Sequence, residues 1–305
     1  MRTKTILPLV GLLALVALPA LAKPYRMMVT RTTETVRTSN LEGQLRYQGF
    51  FHTDFDQSEP YHQLNLGLRF GILDNLEANV GLELLALGMP GITPLQFGFG
   101  DIPVGLQWTV FKSTPFAIGL YGRGTLPTGP SNVDFINPAL SDGTWDYEAS
   151  VLAELRPSRD LRFMVNVGWL GHGVRDREGI PFDVPDAFQA QLGAAYNLDR
   201  WTLVGLEVLG RFYLDPRITP VWSDNANQVE IMPVIRREMW PGLVLEAVAG
   251  IAVTPDLWNM YQFRALLGAT YEFDLAKGPD LPTRKQLQER NQTRSKTSTQ
   301  KNRKK

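Results

Sequence analysis

Residues 62–87 read HQLNLGLRFGILDNLEANVGLELLAL. From Leu64 to Ile72 every second residue is apolar, and Asn65, Gly67, Arg69 and Gly71 stand between them. A repeat of two residues is that of an extended strand with one face in an apolar medium and the other in a polar one. Asp74-Asn75 interrupts the pattern with turn-forming residues, after which a second strand follows with Glu83 on its polar side. The stretch therefore predicts an antiparallel hairpin whose polar face carries charges. Such charges require water or an opposite charge, because an isolated ion in dry protein is too costly.

The same alternation divides nearly everything after residue 40 into twelve segments, at 41–51, 62–73, 76–87, 101–111, 115–126, 144–156, 161–171, 186–198, 201–213, 228–238, 243–253 and 261–273. The connections at 74–75, 112–114, 157–160, 199–200 and 239–242 are short. They alternate with longer ones near 52–61, 88–100, 127–143, 172–185, 214–227 and 254–260. Tight turns on one side and large loops on the other are the trace of a chain threading up and down through a bilayer. The fold class expected is all-β: a transmembrane, up-and-down antiparallel β-barrel of about twelve strands. An even strand number places both termini on the short-turn, periplasmic side.

A soluble β-sandwich also alternates, and the aromatic residues distinguish the two. On the apolar face, Phe70, Trp108, Phe163, Tyr196 and Tyr271 fall toward the short turns, and Tyr147, Trp169, Phe188, Phe212 and Phe263 toward the long loops. Two aromatic girdles around a Leu/Val/Ala band match the two interfaces of a membrane, whereas a sandwich gathers its aromatics mid-core. The tenth segment fits least well, since Pro233 interrupts it and Arg237 falls on the lipid side; a bulge or an interfacial position would accommodate both.

The ends carry different signals. Residues 1–22 combine Arg2 and Lys4 with an apolar run and Ala20-Leu21-Ala22, the layout of a cleaved secretory signal peptide. A retained membrane anchor is the alternative, and the run is short for one. Residues 23–40 are expected as a periplasmic N-terminal segment, 41–273 as the barrel, and 274–305 as a basic, disordered periplasmic tail. The tail holds ten Lys/Arg against three Asp/Glu and no aromatic residue. A net charge of zero for the whole chain thus leaves residues 23–273 at about −9. Behind a signal peptide the partners for such a tail are peptidoglycan, anionic headgroups or an acidic periplasmic protein, rather than nucleic acid. Cysteine is absent, which excludes a lipidated N-terminal Cys, disulfides and thiolate metal sites. Mean hydropathy is −0.14, which a barrel permits because only alternate residues need be apolar.

The inward face supplies the candidate functional residues. Arg46, Arg69, Glu83, Arg123, Glu154, Arg211, Glu246 and Arg264 are the candidate lumen-lining set, with Glu148, Arg162, Glu207, Glu230, Arg236 and Glu272 on the same face. Catalytic chemistry finds little support. The three histidines, His52, His62 and His172, have no serine placed beside them on an adjacent strand for nucleophilic catalysis. His52, Asp54, Asp56 and His62 form an oxygen-rich loop group that is more simply solvated than metal-bound. Residues 88–100, GMPGITPLQFGFG, are glycine-rich without the βαβ setting of a nucleotide loop. No enzyme, cofactor, metal or nucleic-acid partner is expected.

Particular motifs resemble one family. Residues 69–80, RFGILDNLEANV, resemble a hairpin of the outer-membrane family associated with the meta-pathway of phenol degradation. Residues 100–112, GDIPVGLQWTVFK, are similar to its Gly-Asp-led strand, and Leu126-Pro127-Thr128-Gly129 to the motif closing the next one. Residues 28–45 resemble its N-terminal segment, with Arg31-Thr32 where acidic residues are usual. These matches cover about the first half of the mature chain. The resemblance implies an outer-membrane transporter or channel, often linked with aromatic or other hydrophobic compounds. Gly268 to Phe273, GATYEF, resembles the signal read by the barrel-assembly machinery, although Leu266 stands where a polar residue is expected and the signal is internal to the chain.

Three function classes follow. The first is a passive channel for small solutes, including hydrophobic or aromatic ones. The second is a non-conducting anchor or sensor whose lumen is closed by salt bridges, by a loop or by residues 23–40. The third, least supported, is a lipid-modifying enzyme of the outer rim. In each, outer-membrane lipid and lipopolysaccharide surround the wall, and the barrel-assembly machinery acts during biogenesis.

Overall fold

The computed structural model describes residues 30–51, 61–89, 93–129, 143–177, 180–183, 186–214, 227–254 and 262–275. The expected signal peptide, the loop group His52, Asp54 and Asp56, and the tail beyond residue 275 lie outside them. Pro19–Phe273 forms one compact unit, built of strands alone among the described residues. They are β1 (Asn40–Phe51), β2 (Tyr61–Leu73), β3 (Leu76–Met89), β4 (Thr93–Phe99), β5 (Ile102–Lys112), β6 (Phe116–Leu126), β7 (Asp146–Leu155) and β8 (Leu161–Gly171). After these come β9 (Val174–Arg177), β10 (Ile180–Asp183), β11 (Ala187–Asn197), β12 (Thr202–Tyr213), β13 (Gln228–Trp240), β14 (Leu243–Ala252) and β15 (Phe263–Asp274).

Twelve of these strands make the wall. Each is antiparallel to its sequence neighbour, in the order β1-β2-β3-β5-β6-β7-β8-β11-β12-β13-β14-β15, and β15 pairs back with β1. The fold is a closed, twelve-stranded antiparallel barrel, which leaves no unpaired edge. The hairpin read from residues 62–87 forms as expected, with Leu64 opposite Leu84 and Leu68 opposite Val80.

The loops depart from the sequence reading in two places. Residues 88–100 are not all loop: β4 continues the wall beside β3, pairing Phe99 with Leu84, and β5 then pairs Val104 with Val80. The sums of paired positions differ by one, so Gly100–Pro103 holds a β-bulge between two parts of one long strand. Residues 172–185 likewise contain the hairpin β9–β10. In β13 the irregularity lies between Glu238 and Trp240, beside the turn, rather than at Pro233. Arg237 is exposed on the outer face close to that turn.

Alternation sorts the faces as the bilayer requires. Val104, Leu106, Trp108 and Val110 of β5 are exposed, while Gln107 and Thr109 between them are buried inside. In β8, Phe163, Val165, Val167 and Trp169 face out, and Arg162, Met164 and Asn166 face in. The aromatics of the outer face stand at its two margins, with Trp169 Nε1 donating to Asp186 (3.1 Å) at the long-loop end.

The inner face is not uniformly charged. On β8 and β11–β15, Met164, Ala195, Leu203, Leu209, Met232, Val234, Val248 and Leu266 form a buried apolar cluster, Leu203 and Met232 being 0 % exposed. Leu266, anomalous in a lipid-facing assembly signal, is a member of this internal cluster.

Candidate functional site

A stretch of chain runs through the lumen. Ser39 donates to Gly71 O at the short-turn end (2.9 Å), and from there residues 38 to 30 cross the interior to the far wall. Three buried glutamates from three strands accept its backbone N–H groups: Glu77 of β3 from Val36 (2.7 Å), Glu154 of β7 from Thr33 (3.1 Å) and Glu207 of β12 from Thr30. Gln107 of β5 donates to Thr32 O (2.9 Å), and the Thr109 hydroxyl donates to Thr33 O. Away from its bridge to Gly71, the strap has backbone groups at Thr30, Thr32, Thr33 and Val36 bonded by side chains of the wall, as buried peptide groups require partners. Arg31 lies 3.6 Å over the Tyr121 ring and donates to its hydroxyl (2.7 Å). Glu34 pairs with Arg156 (3.0 Å) and Arg162 (3.6 Å). Residues 30–38, part of the segment 23–40 read as periplasmic, are therefore a strap inside the wall, the plugging arrangement that the second function class includes.

The strap is moored at the β2–β3 turn. Thr35 donates to Asp74 O (2.8 Å) and Thr38 to the Asp74 carboxylate (2.5 Å). The Thr38 hydroxyl, and then its backbone N–H, hold the Asp74 carboxyl below the ordinary carboxylate range.

The eight candidate lumen residues all lie on the inner face, and most are tied in pairs. Arg46 meets Glu246 at 3.0 Å, and Arg236 meets the same carboxylate at 3.1 Å from the other side. Arg69 lies 3.6 Å from Glu42 and 3.9 Å from Glu77. Arg123 faces Glu148 at 3.5 Å, Glu154 holds Arg156 at 2.6 Å and Arg162 at 3.3 Å, and Arg264 Nε donates to Glu230 at 2.9 Å. Glu83 of β3 is half-buried opposite Asn65. Arg211 has a neutral partner, Gln189 Oε1 at 3.3 Å. Desolvated charges of this kind persist only when paired.

Burial divides the lumen. Most inward residues on β8 and β11–β14 are buried, Arg211 toward the long loops being half-buried. Along β1–β3 and β6, by contrast, Gln44, Arg46, Asn65, Asn79, Glu83 and Arg123 are all half-buried, Arg123 with 34 % of its side chain exposed. Gly67 and Gly81 sit at inward positions of this sector and add no side-chain bulk. The less closely packed inward positions thus lie along β1–β3 and β6, between residues of the same strands that are buried, Glu42, Gln63, Glu77 and Tyr121.

Sequence reasoning missed the three glutamate hooks as a set, and Gln107, Thr109 and Tyr121 altogether. They lie on the inner face by alternation, and Glu77, Gln107 and Thr109 are polar inward residues at the short-turn ends of adjacent strands. That was the available signal for something polar inside. Among the described residues no group of acidic and histidine side chains is arranged to hold a metal. His62 Nδ1 bonds the Tyr47 hydroxyl (2.7 Å), and His172 Nδ1 lies 3.0 Å from Asp146.

Comparison with known proteins adds the architecture. No family model matches the chain, and no curated protein matches it. Among solved structures, an outer membrane channel from Pseudomonas putida F1 superposes with a TM-score of 0.68 at 15% identity, covering 79% of this chain and 98% of that one. The NanC porin superposes with a TM-score of 0.54 at 10% identity, covering 76% of this chain and 98% of that one. The fold is that of an outer-membrane β-barrel. Such a barrel, with its apolar outer band and aromatic margins, resides in the outer membrane of a Gram-negative cell, and its wall spans that membrane with strands.

Proposed function

We propose that this outer-membrane barrel is a passive channel for small solutes, with the short-turn end facing the periplasm and the strap narrowing the bore from that side. The observation that carries the reading is the group of half-buried polar residues along β1–β3 and β6, of which Glu83 and Arg123 stand farther toward the long loops than the strap's contacts on the same strands at Glu77 and Tyr121. An anchor needs no polar interior, because filling the bore with apolar side chains stabilises a barrel more simply. Mixed charge in this group favours weak ion selectivity set by the narrowest ring. The motifs at residues 69–80 and 100–112 make a simple aromatic compound a cargo to test beside polar ones.

The non-conducting reading retains one specific observation, the strap itself with its three buried hooks. Liposomes containing the refolded mature protein separate the two. Entry of a small ion and a small sugar above protein-free liposomes is the expected result, and exclusion of ion, sugar and a simple aromatic by heat-modifiable, folded barrel would favour the anchor. The rim-enzyme reading gains no support from the described residues.

A further inference from the structure

Every inward-facing arginine of the described wall strands but one has a glutamate within salt-bridge distance: Arg46, Arg69, Arg123, Arg162, Arg236 and Arg264. Arg211 of β12 is the exception, with the Gln189 amide as its partner. Its cross-strand neighbours are all uncharged. Gln189 lies on one side and Gln228 on the other, and beyond Gln189 come Gly168 and then Ser150. The next row toward the short turns adds Asn166, which donates to Gln191 (3.0 Å) and leaves its own buried Oδ1 without a partner.

Among the described residues no carboxylate lies within salt-bridge distance of this half-buried guanidinium, and Glu230, one inward position along β13 from its neighbour Gln228, is held by Arg264. A cation in that position attracts an anion, and a guanidinium fork suits a carboxylate in a bidentate contact. The flanking amides supply donors and acceptors that match hydroxyl groups rather than further charge. Neighbouring strands are about 4.8 Å apart, so a molecule of a few carbons whose carboxylate rests on Arg211 reaches Gln189 and Gln191 with a hydroxyl.

We propose that Arg211, with Gln189, Gln191 and Asn166, is a binding subsite in the long-loop half of the lumen for the carboxylate of a small hydroxylated organic anion. As a step in permeation the subsite rests on the channel reading above; as a binding site it does not.

The probe is lactate, with propane-1,2-diol as its neutral counterpart and chloride as a simple anion. In planar bilayers the wild-type barrel is expected to show a higher lactate-to-chloride permeability ratio than Arg211→Gln, with Arg211→Lys between them. In detergent, saturation-transfer signals from lactate on folded wild-type protein are expected to weaken in Arg211→Gln, with an affinity about tenfold lower, as loss of one charge-assisted contact implies. Propane-1,2-diol should respond to neither substitution. Equal lactate binding by wild type and Arg211→Gln overturns the subsite whatever the currents show. Binding lost in Arg211→Gln, in a protein that passes no current, retains the subsite and overturns the channel.

Discussion

Val167 and Gln44 show how much one inward or outward step decides. Val167 of β8 is on the outer face, 39 % exposed, between Phe163, Val165 and Trp169. Gln44 of β1 is one of the half-buried polar residues of the inner face, beside Glu42, to whose carboxylate it donates (2.7 Å). An arginine near the midplane of the lipid face costs about 2–4 kcal/mol. Val167→Arg is therefore expected to reduce the assembled barrel sharply, whereas Gln44→Arg, which adds a cation beside a carboxylate on the inner face, should leave the amount nearly unchanged. Heat-modifiable mobility on gels measures both, and equal losses would mean that the two faces are wrongly assigned. Asn166, adjacent to Val167, is a poorer inward control, because it is buried and bonded to Gln191.

Among the elements, the strap depends on one close approach. Thr38 bridges to Gly71, and a Cβ built on Gly71 would lie 1.9 Å from the Arg37 carbonyl oxygen and 2.6 Å from that of Val36. Backbone cannot give way as a flexible side chain can, so only glycine lets the strap lie against β2 here. Gly71→Ala is expected to push the strap off the wall while β2, whose outer face is unaffected, keeps its pairing with β1 and β3. The measurement is single-channel conductance together with protease cleavage within residues 30–38, both of which should rise. A folded variant with unchanged conductance and cleavage would show that the strap does not depend on this contact. The wall was legible before the structure because alternation is a local property, and each strand announces its own faces. The strap was not. Residues 30–38, TRTTETVRT, carry no period, and their hydrogen bonds go to Glu77, Gln107, Glu154 and Glu207, on strands far away in sequence. The apolar cluster around Met232 and Leu266 was hidden for a related reason: an inward leucine between inward charges reads as an irregularity until the strands are placed beside one another.

At the scale of the whole molecule, the twelve wall strands close on one another within the described residues. β15 ends at Asp274, and its pairing with β14 runs from Phe263 to Tyr271, while its other edge meets β1. Gly43 of β1 packs beside Phe273, where a Cβ would stand 3.6 Å from the ring, so the seam between first and last strands is complete before the basic residues begin. Those residues, with ten cationic against three acidic side chains from 274 onward and no aromatic among them beyond 273, have too little apolar surface to contribute to the seam. Deleting residues 278–305 is accordingly expected to leave the folded barrel in the outer membrane at an unchanged level, or at a higher one if GATYEF, which resembles an assembly signal, is read better close to the chain end. Fractionated membranes, probed for the heat-modifiable form, give the measurement. A barrel lost on deletion would assign the tail a structural part that its composition opposes. A barrel kept, but no longer retained with peptidoglycan, would support the proposal that the basic tail faces the periplasm and binds there.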